Sequence, residues 1–332
     1  MKTSRLLALG LMVSSPALVG APPHVDWSDI LGPARGAIPA DPGGEVEWRG
    51  DLAEALEEAQ ASNRPLLVTW RCLPCKQCAE FDRNVLEGSK SLDPLLRRFV
   101  TVRLVDAAQL DERYFPFRTH QDLDLSWWGY FLSPQGDYYG VFGGKDHVSD
   151  ATRISEAAFV NSLQRVLEHH HDPRRRGWKI DLPQGSASKT KSGPVDMRGY
   201  ELLRAKRPGL GSPHPEHGGC LLCHQVGDMM TMEDLDAGTF TVEQFLGKWP
   251  LPENVGIELD RDDGLLVTKV VDGSAASMAG VKTGDRLGMA NGMRLFGQAD
   301  FRGVLHRAGR GATSLPIAWL RGGRVHTLSL IH

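Results

Sequence analysis

The feature that most limits how this chain can fold is a run of three cysteines spaced three residues apart, Cys72, Cys75 and Cys78. They directly follow "LLVTW" (residues 66–70), an apolar run with the length and composition of a buried β-strand. The residues from about 75 to 87 predict a helix. The motif would therefore lie where a strand ends and a helix begins, and the unpaired N–H groups of a helix start stabilise a thiolate.

This placement leaves three uses of the cysteines open. In a redox dithiol, the exposed Cys72 would attack a disulfide and the better shielded Cys75 would resolve the mixed disulfide. Cys78 shares a helix face with Cys75, so it is either a second resolving thiol or one of three thiolate ligands of a soft metal site. A structural disulfide or inert thiols are the third use.

The elements predicted around the motif alternate between strand and helix. A helix-forming stretch precedes the motif and stops at Asn63-Arg64-Pro65, and "RFVTVRLVD" (98–106) predicts a second strand. A hairpin follows around the turn Ser133-Pro134-Gln135-Gly136, and "SEAAFVNSLQRVLEHH" (155–170) predicts an amphipathic helix. This order predicts an α/β domain.

The sequence Trp70-Arg71-CLPCK, together with this element order, resembles the thioredoxin superfamily, whose redox site is W-C-x-P-C-K. The resemblance implies a thioredoxin-like domain over residues 46–172, with Cys72 attacking and Cys75 resolving. Two features depart from the family. The strand before the motif carries no acid, and no proline precedes the later strand that would face the disulfide. We expect Asp124-Leu125-Ser126 to take the place of that proline.

The other cysteine pair, Cys220-Leu221-Leu222-Cys223-His224, has the C-x-x-C-H spacing of covalent haem c attachment. Two thioethers would hold the porphyrin while His224 reaches the iron from one side. A zinc site that includes His217 and a small loop disulfide are the alternatives. The candidates for a sixth iron ligand are Met229, Met230, Met232, His214 and His217.

The C-terminal part, residues 253–332, resembles PDZ domains of the kind attached to bacterial periplasmic proteases. The resemblance lies in Gly264-Leu265-Leu266-Val267, Gly273-Ser274-Ala275-Ala276, Ala279-Gly280-Val281, Gly284-Asp285 and Asn291-Gly292. It implies a mainly-β domain whose loop Asn254-Val255-Gly256-Ile257 offers backbone N–H groups to the carboxylate of a peptide, and whose next strand pairs with that peptide. A module that serves only internal packing is the alternative.

The remaining segments predict an exported protein. Residues 1–21 have the charged start, apolar run and small residues of a secretory signal peptide, with an uncleaved membrane anchor as the alternative. Export would place the cysteines where disulfides persist. We expect a leader without a fold of its own over 22–45. A solvated linker over 173–199 would include the basic run "DPRRRGWK", and an irregular segment carrying C-x-x-C-H would span 200–252. A net charge of −3 does not favour nucleic acid, and no membrane insertion is expected beyond the signal segment.

As a whole, the chain resembles a bacterial family of exported thioredoxin-like/PDZ proteins, some of which carry selenocysteine in the redox motif. The resemblance implies a thiol–disulfide oxidoreductase that acts on protein substrates recruited partly by the PDZ domain. Two alternatives stay open. One is a non-catalytic scaffold or sensor that binds protein or peptide partners. The other is a carrier whose chemistry is a haem c at Cys220, Cys223 and His224.

Overall fold

A computed structural model of the protein describes residues 26–70, 75–145, 155–181, 192–210, 219–309 and 314–330. The helices are α1 (Trp27–Leu31), α2 (Leu52–Ser62), α3 (Lys76–Phe81), α4 (Asp93–Leu96), α5 (Phe117–His120), α6 (Glu156–His171), α7 (Arg175–Trp178), α8 (Arg198–Lys206), α9 (Cys223–Ala237), α10 (Val242–Leu246), α11 (Ala275–Met278) and α12 (Gln298–Ala308). The strands are β1 (Trp48–Arg49), β2 (Leu66–Trp70), β3 (Val100–Leu104), β4 (Ser126–Leu132), β5 (Tyr138–Lys145), β6 (Ile257–Leu259), β7 (Val267–Val270), β8 (Arg286–Ala290), β9 (Met293–Arg294), β10 (Leu315–Arg321) and β11 (Arg324–Leu330).

The N-terminal half is built on a mixed five-stranded sheet in the order β1-β3-β2-β4-β5. β2 runs parallel to β3, with Trp70 opposite Leu104, and antiparallel to β4, with Trp70 opposite Trp128. The carboxyl ends of β2 and β3 therefore meet at one edge of the sheet, where the cysteine motif begins. The predicted alternation of strands and helices and the predicted hairpin are confirmed.

Local chemistry explains where the first elements begin and end. The Asp51 carboxylate caps α2 by accepting hydrogen bonds from two backbone N–H groups, and Asn63 ends the helix in the left-handed conformation. Every residue of β2 is buried. Val68 and Trp70 pack into the hydrophobic cluster on one face of the sheet, and Leu67 packs into the cluster on the other face.

The expectation of an irregular segment over 200–252 is wrong, because this stretch contains the helices α8, α9 and α10. α9 buries Cys223, Val226 and Met229 on one side. These residues join the cluster that contains Trp70, and Tyr200 of α8 joins it as well. The segment thus completes the core on one face of the five-stranded sheet.

The C-terminal part forms a four-stranded sheet, β11-β10-β8-β9, and a separate β6–β7 pair. The Ser274 side chain caps α11, and Gly280 and Gly284 adopt positive φ in the turns before β8, as predicted. The predicted closing hairpin around Gly322 and Gly323 joins β10 to β11. These elements enclose their own apolar core.

Two segments expected to lack a fold are packed instead. In the leader, α1 buries Ile30 in a small cluster with Trp178 and Met289. In the basic run, Arg174 forms ion pairs with Asp29 and Asp172, and Arg175 forms one with Asp181. The expectation of a free leader and a solvated linker is therefore wrong for these residues, because Ile30 is packed and the two arginines form ion pairs.

The two domains share a polar boundary. The Asp300 carboxylate at the start of α12 accepts a hydrogen bond from the Val141 N–H of β5 at 2.8 Å. Nearby, Arg302 of α12 donates to Asp122, in the loop before β4, also at 2.8 Å. Within the described residues, no helix is both long enough and apolar enough to cross a membrane.

Candidate functional site

The described part of the three-cysteine motif, Cys75 and Cys78, lies at the predicted start of the helix after β2. Cys75 is the N-cap residue of α3, in extended conformation and half-buried. Cys78 follows one turn later and is only 1% exposed. Cys72 lies outside the described residues. Cys75 therefore has the position expected of a shielded thiol beside a helix start, and Cys78 is enclosed in the core.

The residue that faces the motif from the neighbouring strand is Ser126, the first residue of β4. The Cys75 thiol donates to the Ser126 hydroxyl, with a distance of 3.5 Å between Sγ and Oγ. The described residues include no cis peptide bond. Ser126 thus lies against Cys75, within the Asp124-Leu125-Ser126 stretch expected to take the place of a facing proline; that replacement stays a prediction. A hydroxyl at this point can accept the Cys75 proton or donate to the thiolate.

A buried acid absent from the predicted site lies one turn beyond Cys78. Asp82 begins a π-helical turn, Asp82–Leu86, that continues α3. Its carboxylate accepts a hydrogen bond from Trp127 Nε1 at 2.9 Å and lies 3.7 Å from Arg103 Nε. In the sequence Asp82 is one of several charged residues in the predicted helix, and its partners, Trp127 and Arg103, lie on β4 and β3, which no local pattern indicates.

The segment that carries the second cysteine pair is hydrogen-bonded, through Leu221, to the loop that follows β3. The Leu221 N–H donates to the Asp106 carboxylate at 2.9 Å, and the Ala107 N–H donates to the Leu221 carbonyl at 3.2 Å. Cys220 and Cys223 are 6% and 7% exposed. Burial, and secondly the Asp106 charge, raise the pKa of the Cys220 thiol.

This second pair crosses the sheet edge at which the first motif begins. Leu221 and Cys223 pack into the cluster that contains Trp70 and Trp128 on one face of the sheet. Leu222, between them, packs instead against the cluster on the opposite face, together with Cys75. Because Leu221 is also hydrogen-bonded to Asp106 and Ala107, just after the end of β3, this segment passes over the carboxyl end of the sheet. The second cysteine pair thus lies at the edge of the sheet where Cys75 begins α3.

The residues predicted to hold haem do not fit that group in this arrangement. Both thiols lie inside the protein core, whereas the His224 side chain on the same helix turn is exposed. Met229 is buried against Gly199, and Met230 is half-buried. His214 and His217 lie outside the described residues. Haem attachment needs two thiols and the histidine ring on one open surface, so haem c stays a prediction that this geometry does not favour.

A metal site finds no support among the residues that the structure describes. In those ranges, no group of three or more His, Cys, Asp or Glu side chains is arranged to hold an ion. The three-thiolate hypothesis includes Cys72, which lies outside them, so that hypothesis stays a prediction.

The predicted peptide-binding loop is closely packed. Val255 and Ile257 are buried, and Gly256 adopts a φ of +84° between them. The Gly256 N–H donates to the Glu253 carbonyl at 2.9 Å, so this donor is used within the loop. Beside the loop lies a cavity of about 560 Å³, lined by Leu246, Gly247, Lys248, Trp249, Pro250, Leu251, Asn254, Val255, Leu305, Ala308, Gly309, Leu315 and Leu330.

Comparison with known proteins gives one family. Residues 47–130, less than half of the chain, match the family model described as thioredoxin-like. No curated protein matches the chain. The matched range includes β1 to β3, the cysteine motif and the start of β4 with Ser126. The chain therefore contains a thioredoxin-like domain in its N-terminal part.

Proposed function

We propose that the protein is a thiol–disulfide oxidoreductase that acts at the Cys72–Cys75 motif on protein substrates. One observation carries the proposal: Cys75 is the N-cap residue of α3 at the carboxyl edge of a thioredoxin-like sheet, and its thiol donates to the Ser126 hydroxyl. A purely structural thiol needs neither a helix start nor a hydroxyl beside it, whereas a resolving thiol gains from both, because each stabilises the thiolate.

The reaction takes two exchange steps. The Cys72 thiolate attacks one sulfur of a substrate disulfide, a bond forms between them, and the other substrate sulfur leaves as a thiolate. Cys75 loses its proton, attacks Cys72 Sγ and releases the first substrate sulfur. The substrate is reduced by two electrons and the motif is left as a disulfide, which an external dithiol can reduce again.

The test is thiol trapping of the purified full chain across a series of dithiothreitol or glutathione potentials, with mass spectrometry of each cysteine. A working dithiol interconverts between roughly −120 and −270 mV, whereas a structural disulfide stays oxidised below roughly −300 mV. We expect Cys72→Ser to abolish reduction of a protein disulfide such as insulin. Full activity of that variant, or a potential in the structural range, would refute the proposal.

A second function, binding of a peptide by the C-terminal domain, is supported by a different observation. Within the described ranges β6 pairs with β7 alone, so its other edge can accept an added strand. The cavity between the loop at Val255 and the end of α12 at Leu305 and Ala308 lies near the start of this edge. Calorimetric titration of the full chain with a library of free-carboxylate and amidated peptides would test it; equal binding of both forms would exclude carboxylate recognition.

We further propose export from the cytoplasm, on the signal-like residues 1–21 alone, which lie outside the described residues. Fractionation of the producing cell and the mass of the mature N-terminus test this point. An intact Met1 on cytoplasmic material would contradict it.

A further inference from the structure

A cleft of about 800 Å³ lies where the leader, the thioredoxin-like domain and the C-terminal domain meet. Residues between 30 and 38 of the leader form one wall, α6 forms the second, and strands β8 to β10 contribute to the third. Sites that enclose a small molecule measure roughly 300–1,000 Å³, so the cleft has the size of such a site. Neither the thiol chemistry nor the peptide binding proposed above uses it.

Arg294, on β9, presents a cation to this cleft without a carboxylate beside it. Its Nη1 donates to the Ile30 carbonyl and to His169 Nδ1, each at 3.4 Å. Within the described ranges no carboxylate lies within 4.0 Å of the guanidinium, and Nε and Nη2 make no hydrogen bond although neither atom is fully enclosed. Burial lowers the pKa of this half-buried group to about 10, so it is still protonated at neutral pH. The N–H groups on Nε and Nη2 are therefore available to an anion.

The other charged side chains of the cleft leave this cation uncompensated. They are Arg165, Glu168, Asp172, Asp263 and Arg286. Asp263 forms ion pairs with both Arg165 and Arg286, so two cations share one carboxylate. Asp172 forms an ion pair with an arginine outside the cleft. Glu168 is exposed, so water and salt screen its charge.

Apolar side chains form much of the remaining surface of the cleft. Leu31 and Leu320 are half-buried there and Ile38 is 36% exposed, so each still presents apolar surface to a ligand. An inorganic anion would leave this surface in contact with water, whereas an acid with an apolar body would cover it and gain the free energy of apolar burial. The flat fork of a guanidinium matches a carboxylate, whose two oxygens accept two parallel N–H bonds.

From these contacts we propose that the cleft binds a small organic acid, with its carboxylate on Nε and Nη2 of Arg294 and its apolar body against Leu31, Ile38 and Leu320. The ligand would touch the leader and both domains, so its binding should stabilise their packing. A peptide that ends in an apolar residue carries the same chemistry, and the test therefore compares the two sources.

The test is calorimetric titration of the full chain with 4-phenylbutyrate and with its uncharged amide. The acid should bind about tenfold more tightly than the amide, because only the acid forms charge-assisted bonds, and inorganic phosphate should not displace it. Arg294→Gln should weaken binding of the acid about tenfold, and Arg294→Lys, which keeps the charge but loses the fork, should weaken it less. The matched control is Arg324→Gln, at the exposed start of β11, which should bind the acid like the wild type.

Two further variants keep Arg294 and so do not depend on the stability of its replacements. Glu168→Gln removes an exposed carboxylate from the cleft and should strengthen binding of the acid about twofold. Leu320→Trp fills the cleft and should abolish binding in protein that still unfolds cooperatively. No binding of the acid, equal binding of acid and amide, or an affinity unchanged in Arg294→Gln would overturn the proposal. Binding of a pentapeptide with an apolar C-terminal residue in place of the acid would overturn it as well.

Discussion

The Asp300 carboxylate is fully enclosed between the two domains and accepts the Val141 N–H of β5 at 2.8 Å. It also accepts the N–H groups of Phe296 and Gly297, at 2.8 and 3.1 Å. Burial raises the pKa of this acid to about 7, against the lowering effect of the three N–H donors. The same side chain caps the start of α12 and binds an edge strand of the other domain, so its protonation affects both.

A prediction for the pH dependence of stability follows. An acid whose pKa is higher in the folded state contributes stability that is complete below its unfolded pKa, near 4, and is lost as the pH rises through about 7. The loss amounts to roughly 4 kcal/mol at most. Urea unfolding of the wild type and of Asp300→Asn is measured from pH 4 to 8. The free energy of unfolding of the wild type, relative to that of the variant, should fall as the pH rises. A stability difference that does not change with pH would contradict the raised pKa of Asp300.

From the buried ion pair of Arg302 and Asp122 we predict that the contact between the two domains contributes strongly to the free energy of unfolding. Both side chains are 9% exposed, and Arg302 also donates to the Trp249 carbonyl at 2.8 Å. Burial raises the pKa of Asp122, and Arg302 opposes that rise. Arg302→Met would leave the carboxylate enclosed without its cation, at a cost of about 3 kcal/mol.

The matched control is the exposed pair of Arg198 and Asp236, whose side chains are 67% and 49% exposed. Arg198→Met should change the free energy of unfolding by less than about 1 kcal/mol. The double variant Asp122→Asn/Arg302→Met should recover part of the loss of Arg302→Met. An Arg302→Met variant as stable as the control would show that the domains do not pack in this way in solution.

A third prediction concerns how much the hydrogen bond between Trp127 and Asp82 stabilises the core near Cys78. The indole donates to a carboxylate that is 1% exposed, and Trp127 itself is fully buried. Trp127→Phe keeps an aromatic ring but removes the donor to a buried charge, so we expect a loss of about 3 kcal/mol. Asp82→Asn retains an oxygen that can accept the indole N–H and should cost less. Chemical denaturation followed by circular dichroism compares the two; a larger loss for Asp82→Asn would contradict the bond's role.

These predictions rest largely on contacts that no local pattern indicated. The junction of β2 and α3 was predictable, because an unbroken apolar run and the cysteine spacing are local signals. The turns at Gly280 and Gly284 were predictable because positive φ selects glycine. Asp82 was missed as a site residue, since its partner Trp127 lies 45 residues away.

The helical segment around α9 was missed for a related reason. Its buried residues Cys223, Val226 and Met229 are few, and its other apolar residues, among them Met230, Met232 and Leu235, are not buried and are mixed with polar ones. The apolar face is completed by Trp70 and Tyr130 of the sheet, not by the segment itself. A pattern of three residues is too weak to predict a helix, so only the tertiary structure places the second cysteine pair at the sheet edge where Cys75 lies.

Ser126 gives a prediction for catalysis under the proposed function. Its hydroxyl accepts a hydrogen bond from the Cys75 thiol at 3.5 Å and can donate to the thiolate once the proton has left. Ser126→Ala should slow the resolving step about fivefold, the effect of one ordinary hydrogen bond. The lifetime of the mixed disulfide with a model protein, measured by acid quench, should lengthen accordingly. Ser62→Ala, on the exposed end of α2, is the control, and equal lifetimes in both variants would exclude a role for the hydroxyl.

The loop at Gly256 provides the last prediction, for the C-terminal domain. Gly256 has a φ of +84°, and a Cβ placed there would lie 2.1 Å from Ser274 Cβ. Gly256→Ala therefore combines left-handed strain with a collision and should destabilise the domain by about 3 kcal/mol or more. Gly273→Ala is a close match, with a φ of +72° but no atom within 4 Å of the added Cβ, so it should cost only about 1–2 kcal/mol.

Peptide binding separates the two glycine variants further. At a temperature where both are folded, Gly256→Ala should bind a free-carboxylate peptide more weakly than Gly273→Ala, because the displaced loop carries the amides proposed to receive the carboxylate. Thermal unfolding gives the stability difference and calorimetry gives the affinities. If Gly273→Ala lost as much stability and affinity as Gly256→Ala, the close contact with Ser274 would not be what fixes this loop.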